Sequence, residues 1–390
     1  MPYAWGSRTA IAELRGERSP SNEPQAEMWM GAHPMAPAVV TCDGSELSLE
    51  TLIERAPERE LGDRSLRAFG PRLPFLMKVL AAAEPLSLQA HPTEAQARAG
   101  FEQEEKRGTP RDAPNRNYRD AHHKPELICA LTPFSALSGF RPPEQTLALF
   151  ETLAVPALGE PLAHLRSALD AKGLAAMFRA IMTMPEERRA PVVDATVKAC
   201  AGLGDVFAQE RFWAQKLATI HPGDIGIVSA LMLHVVKLAP GEAMYLGAGN
   251  LHAYLEGVGI EIMASSDNVL RGGLTKKHVD VPELMRVLDF DGDGATRVAP
   301  REEDGHERVY RTEAREFELS RFSMLTTARV ARTVAGPEIL LTTDGSVTLV
   351  TDRGAHTSVL RKGSAAFLGA DTGEYALEGK GTVFRAKVPA

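Results

Sequence analysis

Short apolar runs bounded by proline and glycine make up most of this chain, and one stretch of helical periodicity interrupts them at about residues 144–219. Before that stretch, the apolar runs at residues 73–80 and 127–131 are typical of buried strands that end at turns. After it, residues 227–238 and 243–246 are predicted as further strands, and short strands alternate with glycine-containing turns up to the C-terminus. The pattern therefore predicts a mainly β protein with a helical insert.

The insert repeats apolar residues at intervals of three and four. Leu174, Met177 and Phe178 are part of one such series. Because this spacing places apolar side chains on one face of a helix, we expect the whole insert to be α-helical. A shorter helix is predicted from Thr93 to Glu105, where the Thr93 hydroxyl can cap the first turn.

Charge and composition exclude several classes of protein. Lys and Arg total 44 and Asp and Glu total 51, which gives a net charge of -7 without basic tracts, so neither nucleic acid nor an anionic membrane is expected as a partner. No apolar run reaches the ~18 residues of a membrane-spanning helix, and the first residues do not resemble a signal peptide. The three cysteines, Cys42, Cys129 and Cys200, are too far apart for a disulfide framework or a CxxC zinc site. We therefore expect a cytoplasmic protein.

Gln89 and His91 form the first candidate site. In an extended segment, residues two apart point to the same face, so an amide oxygen and an imidazole nitrogen would converge. Both groups can bind a divalent metal ion. Taken alone, such a triplet is more often part of a surface or a core than of a metal site.

Three further segments place polar groups beside apolar runs. Lys124 and Glu126 share strand parity at the start of an apolar run, which fits a metal ligand beside an anion-binding group, although a solvated charged loop has the same pattern. His252 follows a glycine-rich turn and is either a ligand or a core histidine bonded to backbone. Residues 265–268 crowd polar groups between two strands, which costs stability unless those groups are paired or functional.

Six motifs together resemble the type I mannose-6-phosphate isomerases in order and spacing. The motifs are YAWGS at residues 3–7, EMWMGAHP at 27–34, LSLQAHP at 86–92, HKPE at 123–126, GNLHAY at 249–254 and SDNVLRGG at 266–273. The helical insert lies where that family has one. Beyond about residue 275 the chain carries no such motif.

This resemblance implies a cupin core, a double-stranded β-helix or jelly roll, that binds one zinc ion. The implied catalytic cupin domain comprises residues 1–143 and 220–300. An all-α insertion domain would cover 144–219, and a C-terminal cupin-like β domain would cover 301–390.

The resemblance also assigns site residues. The implied zinc ligands are Gln89, His91, Glu126 and His252, and the implied catalytic residues are Arg271, Lys124, His123 and Asp267. His123 has the opposite strand parity to Glu126 and reaches the site only if the strand begins at Pro125. From their positions, Ser87 and Lys78 are candidates to bind a phosphate, with Lys276 and Lys277 less favoured. Glu261 and Asp267 are candidates to accept the carbon-bound proton.

The implied reaction interconverts mannose 6-phosphate and fructose 6-phosphate through a cis-enediolate. We expect a monomer whose partner is a small-molecule sugar phosphate. A non-catalytic or differently specific cupin that binds sugar phosphates is the main alternative, but it gives no reason for Lys124 and Arg271 to accompany the ligands. A cupin iron oxygenase is a second alternative. Such an enzyme usually binds its metal with two histidines and one carboxylate, whereas Gln89 would add a fourth protein ligand here and leave less room for oxygen. A two-function enzyme that joins this isomerase to a nucleotidyltransferase would need an additional glycine-rich nucleotide-binding segment, and the sequence contains none.

Overall fold

The computed structural model describes residues 1–42, 44–202, 204–292, 296–324, 329–351 and 356–389. Its N-terminal elements are α1 (Ala10–Arg15), β1 (Glu27–Met30), β2 (Val39–Cys42), β3 (Ser45–Ser48), α2 (Leu49–Arg55), α3 (Pro57–Phe69), β4 (Phe75–Ala82), β5 (Leu88–Ala90), α4 (Glu94–Lys106), β6 (Glu126–Ala130) and β7 (Phe134–Phe140). The strands predicted at residues 73–80 and 127–131 are confirmed as β4 and β6. Helix α4 is also confirmed, and a capping box between Thr93 and Gln96 starts it.

Helices follow β7. They are α5 (Pro143–Leu153), α6 (Gly159–Ser167), α7 (Ala171–Met182), α8 (Glu186–Ala199), α9 (Ala208–Ile220) and α10 (Gly226–Ala230), with a short 3₁₀ turn at Pro156–Leu158. The predicted apolar face is seen in α7, where Leu174, Met177 and Phe178 are buried. None of the helices in the described ranges has both the length and the apolar character that a bilayer span requires.

The strand predicted at residues 227–238 is wrong in its first half. Residues Gly226–Ala230 form α10, and the strand begins only at Leu233. Every residue of α10 is buried, so its sequence shows no polar face. An apolar run of this kind fits a buried helix and a buried strand equally well, which is why periodicity could not separate them.

The next elements complete the first sheet. They are β8 (Leu233–Leu238), β9 (Ala243–Leu246), β10 (His252–Ala264), β11 (Leu270–Gly273), α11 (Val281–Val287) and β12 (Thr296–Val298). Within the described residues ten strands form this sheet, and its main path runs β1-β4-β10-β6-β9-β12. Strand β10 pairs with β5 and β7 near its start and with β4 and β6 further along. One continuous strand therefore links the two parts of the sheet.

A second antiparallel sheet follows. It contains β13 (Arg301–Glu302), β14 (Glu307–Tyr310), β15 (Glu318–Met324), β16 (Arg329–Thr333), β17 (Glu338–Thr351), β18 (His356–Arg361), β19 (Ala365–Leu368) and β20 (Glu374–Lys387). Phe75 and Met77 of β4 belong to the same buried apolar cluster as Leu341 and Phe384 of this sheet. The C-terminal residues are thus packed against the back of the first sheet. The whole is a mixture of helices and large antiparallel sheets.

Candidate metal centre and active site

Strand register places three predicted site residues in one row. Gln89 of β5 lies directly opposite His252 of β10 on one side and Arg271 of β11 on the other. Neighbouring strands are about 4.8 Å apart, and opposed residues project to the same face of a sheet. The register therefore brings Gln89, His252 and Arg271 to a common face, although 182 positions separate the first from the last (271 − 89).

His91, Glu126 and His252 form a buried cluster beside this row. The Nε2 atom of His91 lies 3.2 Å from Oε1 of Glu126, and Nε2 of His252 lies 3.4 Å from Oε2. One ligand atom from each of the three side chains lies within 4.8 Å of the others. All three residues are buried. Their nitrogen and carboxylate atoms match the ligand set that zinc prefers.

The tautomers of the two histidines favour a cation between them and Glu126. Nδ1 of His91 is 2.8 Å from the backbone oxygen of Asn268, and Nδ1 of His252 is 3.0 Å from that of Asn250. Because a carbonyl oxygen can only accept, each Nδ1 carries a hydrogen, and Nε2 is the nitrogen of each ring that is left to bind a metal ion. Nε2 of His91 has no hydrogen-bond partner among the described residues. Lone pairs facing one another at this distance are the arrangement that a metal ion satisfies.

Charge in the cluster is also suited to a metal ion. Burial lowers the pKa of His91 to about 4, so its imidazole is neutral. Burial opposes ionisation of Glu126, but the Lys124 ammonium and the His91 imidazole outweigh it and hold its pKa below the usual range. Lys124 lies 3.1 Å from Oε1 of Glu126. Glu126 is therefore a charged carboxylate beside the neutral imidazole of His91 and the ammonium group of Lys124.

The polar turn at residues 265–268 is hydrogen-bonded to the segment at residues 120–122. Asn268 is fully buried, and its side-chain amide donates to the backbone oxygens of Asp120 and His122, each at 2.8 Å. Ser266 donates to the Asp120 carboxylate at 2.9 Å. Since the backbone oxygen of Asn268 also accepts from His91, this network holds one side of the metal cluster. The crowded polar groups are satisfied and serve to orient His91.

A cavity of about 510 Å³ opens next to the cluster. The predicted site residues that line it are Lys78, Ser87, Gln89, Lys124, Asp267, Arg271, Lys276 and Lys277. Burial and the nearby Arg119 guanidinium lower the pKa of Arg271. Burial and the Arg271 guanidinium likewise lower the pKa of Lys277. This part of the cavity wall is strongly cationic in an otherwise acidic protein.

Lys78 is already neutralised by carboxylates. Its ammonium lies 3.2 Å from Glu261 and 3.5 Å from Glu27, and it stands 5.0 Å from the centre of the Trp29 ring. Burial raises the pKa of Glu261, and the two carboxylates raise that of Lys78 against the effect of burial. Glu261 lies behind Lys78 and is not among the residues that line the cavity. Lys78 is therefore less available to a phosphate than its position in the sequence indicates.

Asp267 has a partner that sequence analysis missed. Nε2 of His33 lies 3.3 Å from its carboxylate. The backbone N–H of Met35 donates to Nδ1 of His33 at 3.2 Å, which leaves the ring hydrogen on Nε2, facing Asp267. This hydrogen bond lowers the pKa of Asp267. His33 belongs to the EMWMGAHP motif, but nothing in that motif indicates which distant residue it contacts.

His123 lies apart from the other predicted catalytic residues. Its Nε2 is 2.9 Å from the carboxylate of Glu316, between β14 and β15, and it is not among the residues that line the cavity. Strand β6 begins at Glu126, so His123 precedes the strand and strand alternation does not fix the direction of its side chain. His123 therefore contacts the C-terminal residues, whereas the neighbouring Lys124 lines the cavity.

Comparison with known proteins decides the family. A family model described as phosphomannose isomerase type I, catalytic domain, matches residues 1–143. The mannose-6-phosphate isomerase of Escherichia coli (strain K12) is 37% identical over 386 residues, covering 98% of this chain and 96% of that protein. This chain belongs to the type I phosphomannose isomerases. The Homo sapiens mannose-6-phosphate isomerase is 32% identical, covering 95% of this chain and 91% of that protein.

Solved structures of phosphomannose isomerases have the same fold. A zinc-bound crystal structure of mannose 6-phosphate isomerase matches with a TM-score of 0.89 and 37% identity, covering 100% of this chain and 97% of that one. A single-residue variant of phosphomannose isomerase from Salmonella typhimurium matches with a TM-score of 0.90 at 36% identity and the same coverage. The family predicted from the six motifs is confirmed, and its mixed architecture of helices and antiparallel sheets extends over the whole chain.

Proposed function

We propose that this chain is a zinc-dependent isomerase that interconverts mannose 6-phosphate and fructose 6-phosphate. The observation that carries the proposal is the buried cluster of His91, Glu126 and His252, in which both imidazole Nε2 atoms are directed at one carboxylate. Membership of the phosphomannose isomerases supplies the substrate, and the cationic cavity beside the cluster suits a sugar phosphate. A non-catalytic binding protein would not need Lys124 and Arg271 at this wall.

One zinc ion per chain would be held by His91, Glu126 and His252, with Gln89 as the fourth protein ligand. Gln89 is assigned because it stands opposite His252 in the sheet and lines the cavity. Bound zinc would polarise the sugar's carbonyl and hydroxyl oxygens and hold them in register, and its redox inertness suits a reaction without net oxidation. The zinc-bound relative supports this choice of metal.

The reaction moves hydrogen within the sugar. A proton leaves C2, another is delivered to C1, and the hydroxyl hydrogen on O2 is replaced by one on O1, with a cis-enediolate between the two states. Asp267 is our candidate to carry the proton, because its carboxylate lines the cavity beside Lys124 and Arg271. A transferred proton must reside briefly on such a group. Lys124 and Asp267 together would open the sugar ring, one as acid and the other as base.

Arg271 stabilises the negative charge of the enediolate. It stands opposite Gln89 and so beside the metal cluster, and a cation placed where charge develops lowers the barrier. Ser87, Lys276 and Lys277 line the same cavity and bind the phosphate group. Lys78 forms ion pairs with Glu27 and Glu261 at the wall of the cavity. His123, bonded to Glu316, orients the segment that carries Lys124.

The finer architecture remains our proposal. Residues 1–143 and 220–300 would form a catalytic cupin domain, 144–219 an all-α insertion and 301–390 a cupin-like β domain. Helix α9 ends at Ile220, close to the proposed boundary. A cytoplasmic location and a monomeric state are further predictions from the sequence.

The deciding experiment is a coupled isomerase assay on metal-depleted protein. We expect fructose 6-phosphate formation to be absent without metal and to return with one equivalent of zinc per chain. Magnesium, which prefers oxygen ligands, serves as the control ion and should not restore activity. Full activity in the metal-free protein, or restoration by magnesium alone, would contradict the assignment.

A further inference from the structure

The turn between α9 and α10 meets the cavity from the helical side of the molecule. It consists of His221, Pro222, Gly223 and Asp224, and the N–H of Asp224 donates to the oxygen of His221 at 3.2 Å. Gly223 has a φ of +75°. Proline followed by glycine with positive φ is the signature of a type II turn, which fixes the directions of the two flanking side chains.

His221 has a buried ring nitrogen that faces no described partner. The residue lines the cavity, and its Nε2 atom is buried without a hydrogen-bond partner among the described residues. Its charged neighbours are Asp224, Glu84 and Lys276. An unsatisfied buried donor or acceptor costs free energy unless something pairs with it. A ligand in the cavity is the natural partner for this atom.

Asp224 holds the segment that carries the two cavity lysines. One carboxylate oxygen accepts the N–H of Gly226 at 2.8 Å, and the other accepts the N–H of Thr275 at 3.1 Å. Leu274, just before Thr275, has a φ of +56°, a conformation that costs free energy in a residue other than glycine. The Asp224 hydrogen bond thus helps to hold residues 274–277 in a conformation they would not adopt unaided.

The backbones on either side of this link are in close contact. A Cβ atom added to Gly273 would lie 2.6 Å from the Cα of Gly226, and Gly273 itself has a φ of +121°. Glycine at both positions allows the start of α10 to pack directly on the end of β11. Since Arg271 lies two residues before Gly273, the turn at 221–224 and the cationic wall form one connected unit.

We propose that this turn builds the phosphate end of the cavity: His221 donates from Nε2 to a phosphate oxygen, and Asp224 is a positioning residue for the lysine segment 274–277. The inference rests on the proposed function for the identity of the ligand. Its chemistry is that of a phosphate monoester, because Lys276, Lys277 and Ser87 line the same cavity. The connection between α9 and α10 thereby contributes directly to substrate binding.

The test measures inorganic phosphate binding by calorimetry and steady-state kinetics with mannose 6-phosphate, both on the zinc-loaded full chain. In His221→Ala we expect phosphate affinity to fall about tenfold or more, because a hydrogen bond to a charged group is lost. KM should rise by the same factor and kcat should stay unchanged, because the bond is lost equally from the ground state and the transition state. His221→Gln, which retains an N–H donor, should recover part of the affinity.

Asp224→Asn tests the positioning role. Its amide group can still accept one N–H but not both, so we expect phosphate affinity to fall about threefold to tenfold with kcat and the unfolding midpoint little changed. Asp170→Asn is the matched control, because Asp170 accepts the N–H of Gly173 at 3.0 Å in the same helical region, away from the cavity. It should leave all constants unchanged.

Two results would overturn the inference. Phosphate affinity within twofold of the parent in both His221→Ala and Asp224→Asn would remove the turn from the phosphate site. An equal loss of phosphate affinity in the control Asp170→Asn would show that the effect of Asp224→Asn is a general structural one. Calorimetry separates this inference from the proposed function. If the parent chain had no isomerase activity but still bound phosphate, and lost that binding in His221→Ala, only the isomerase assignment would be wrong.

Discussion

Replacing Arg271 by alanine should separate catalysis from folding and from metal binding. Among the described residues, Arg271 forms no ion pair with a carboxylate, and burial and the like charge of Arg119 lower its pKa. Truncation therefore leaves no buried carboxylate unpaired and removes some repulsion. We expect the free energy of unfolding to change by no more than about 0.5 kcal/mol, as for substitutions away from packed or paired groups.

The catalytic loss should be much larger. Losing one donor aimed at developing negative charge costs about 2.7–4 kcal/mol, or a factor of about 10²–10³ in kcat. The coupled assay measures this factor, metal analysis measures zinc, and urea denaturation measures stability. Arg271→Lys, which keeps a positive charge but not the planar guanidinium, should fall between the parent and Arg271→Ala.

Either of two outcomes would refute this argument. If Arg271→Ala lost its zinc, the residue would be part of the metal site and not a separate stabiliser of charge. If its kcat stayed within about tenfold of the parent, the negative charge must be stabilised elsewhere, since a donor in this role is worth more than that.

Three further predictions concern other parts of the molecule. Lys78→Met should lower the free energy of unfolding by about 3–5 kcal/mol in urea denaturation, because two buried carboxylates lose their cation; a change below about 1 kcal/mol would contradict this. His252→Ala should lose zinc and isomerase activity together, and stoichiometric zinc in the purified variant would count against the ligand set. Alkylation of the native protein at pH 8, followed by mass spectrometry, should modify Cys42 and spare Cys129 and Cys200. Burial raises the pKa of each of the latter two thiols to about 11, which leaves about one in a thousand as reactive thiolate; equal labelling of all three would overturn this.

Local pattern predicted the strands on which the site is built, but not how those strands meet. The parity of Gln89 and His91 and the apolar run after Glu126 were visible in the sequence. The pairing of Gln89 with both His252 and Arg271 depends on contacts between segments far apart in the chain. For these, only the order of the six motifs, through their resemblance to a family, pointed to a common site.

Three partners escaped sequence analysis for the same physical reason. His33 bonds Asp267, Glu316 bonds His123, and the turn at His221 reaches the cavity from the helices. In each case the residue carries no local signal, because its chemistry depends on a neighbour that only the tertiary fold supplies. His123 precedes the first residue of β6, so strand parity does not determine its contact with Glu316.

Strand β10 sets a limit on how the chain can vary in length. It carries His252 at one end and Glu261 nine positions later, opposite Lys78. Side chains alternate along a strand, so one inserted or deleted residue between these positions would move every following side chain to the opposite face of the sheet. Natural or engineered changes in length should therefore be tolerated in the surface turns of this protein but rejected within residues 252–264.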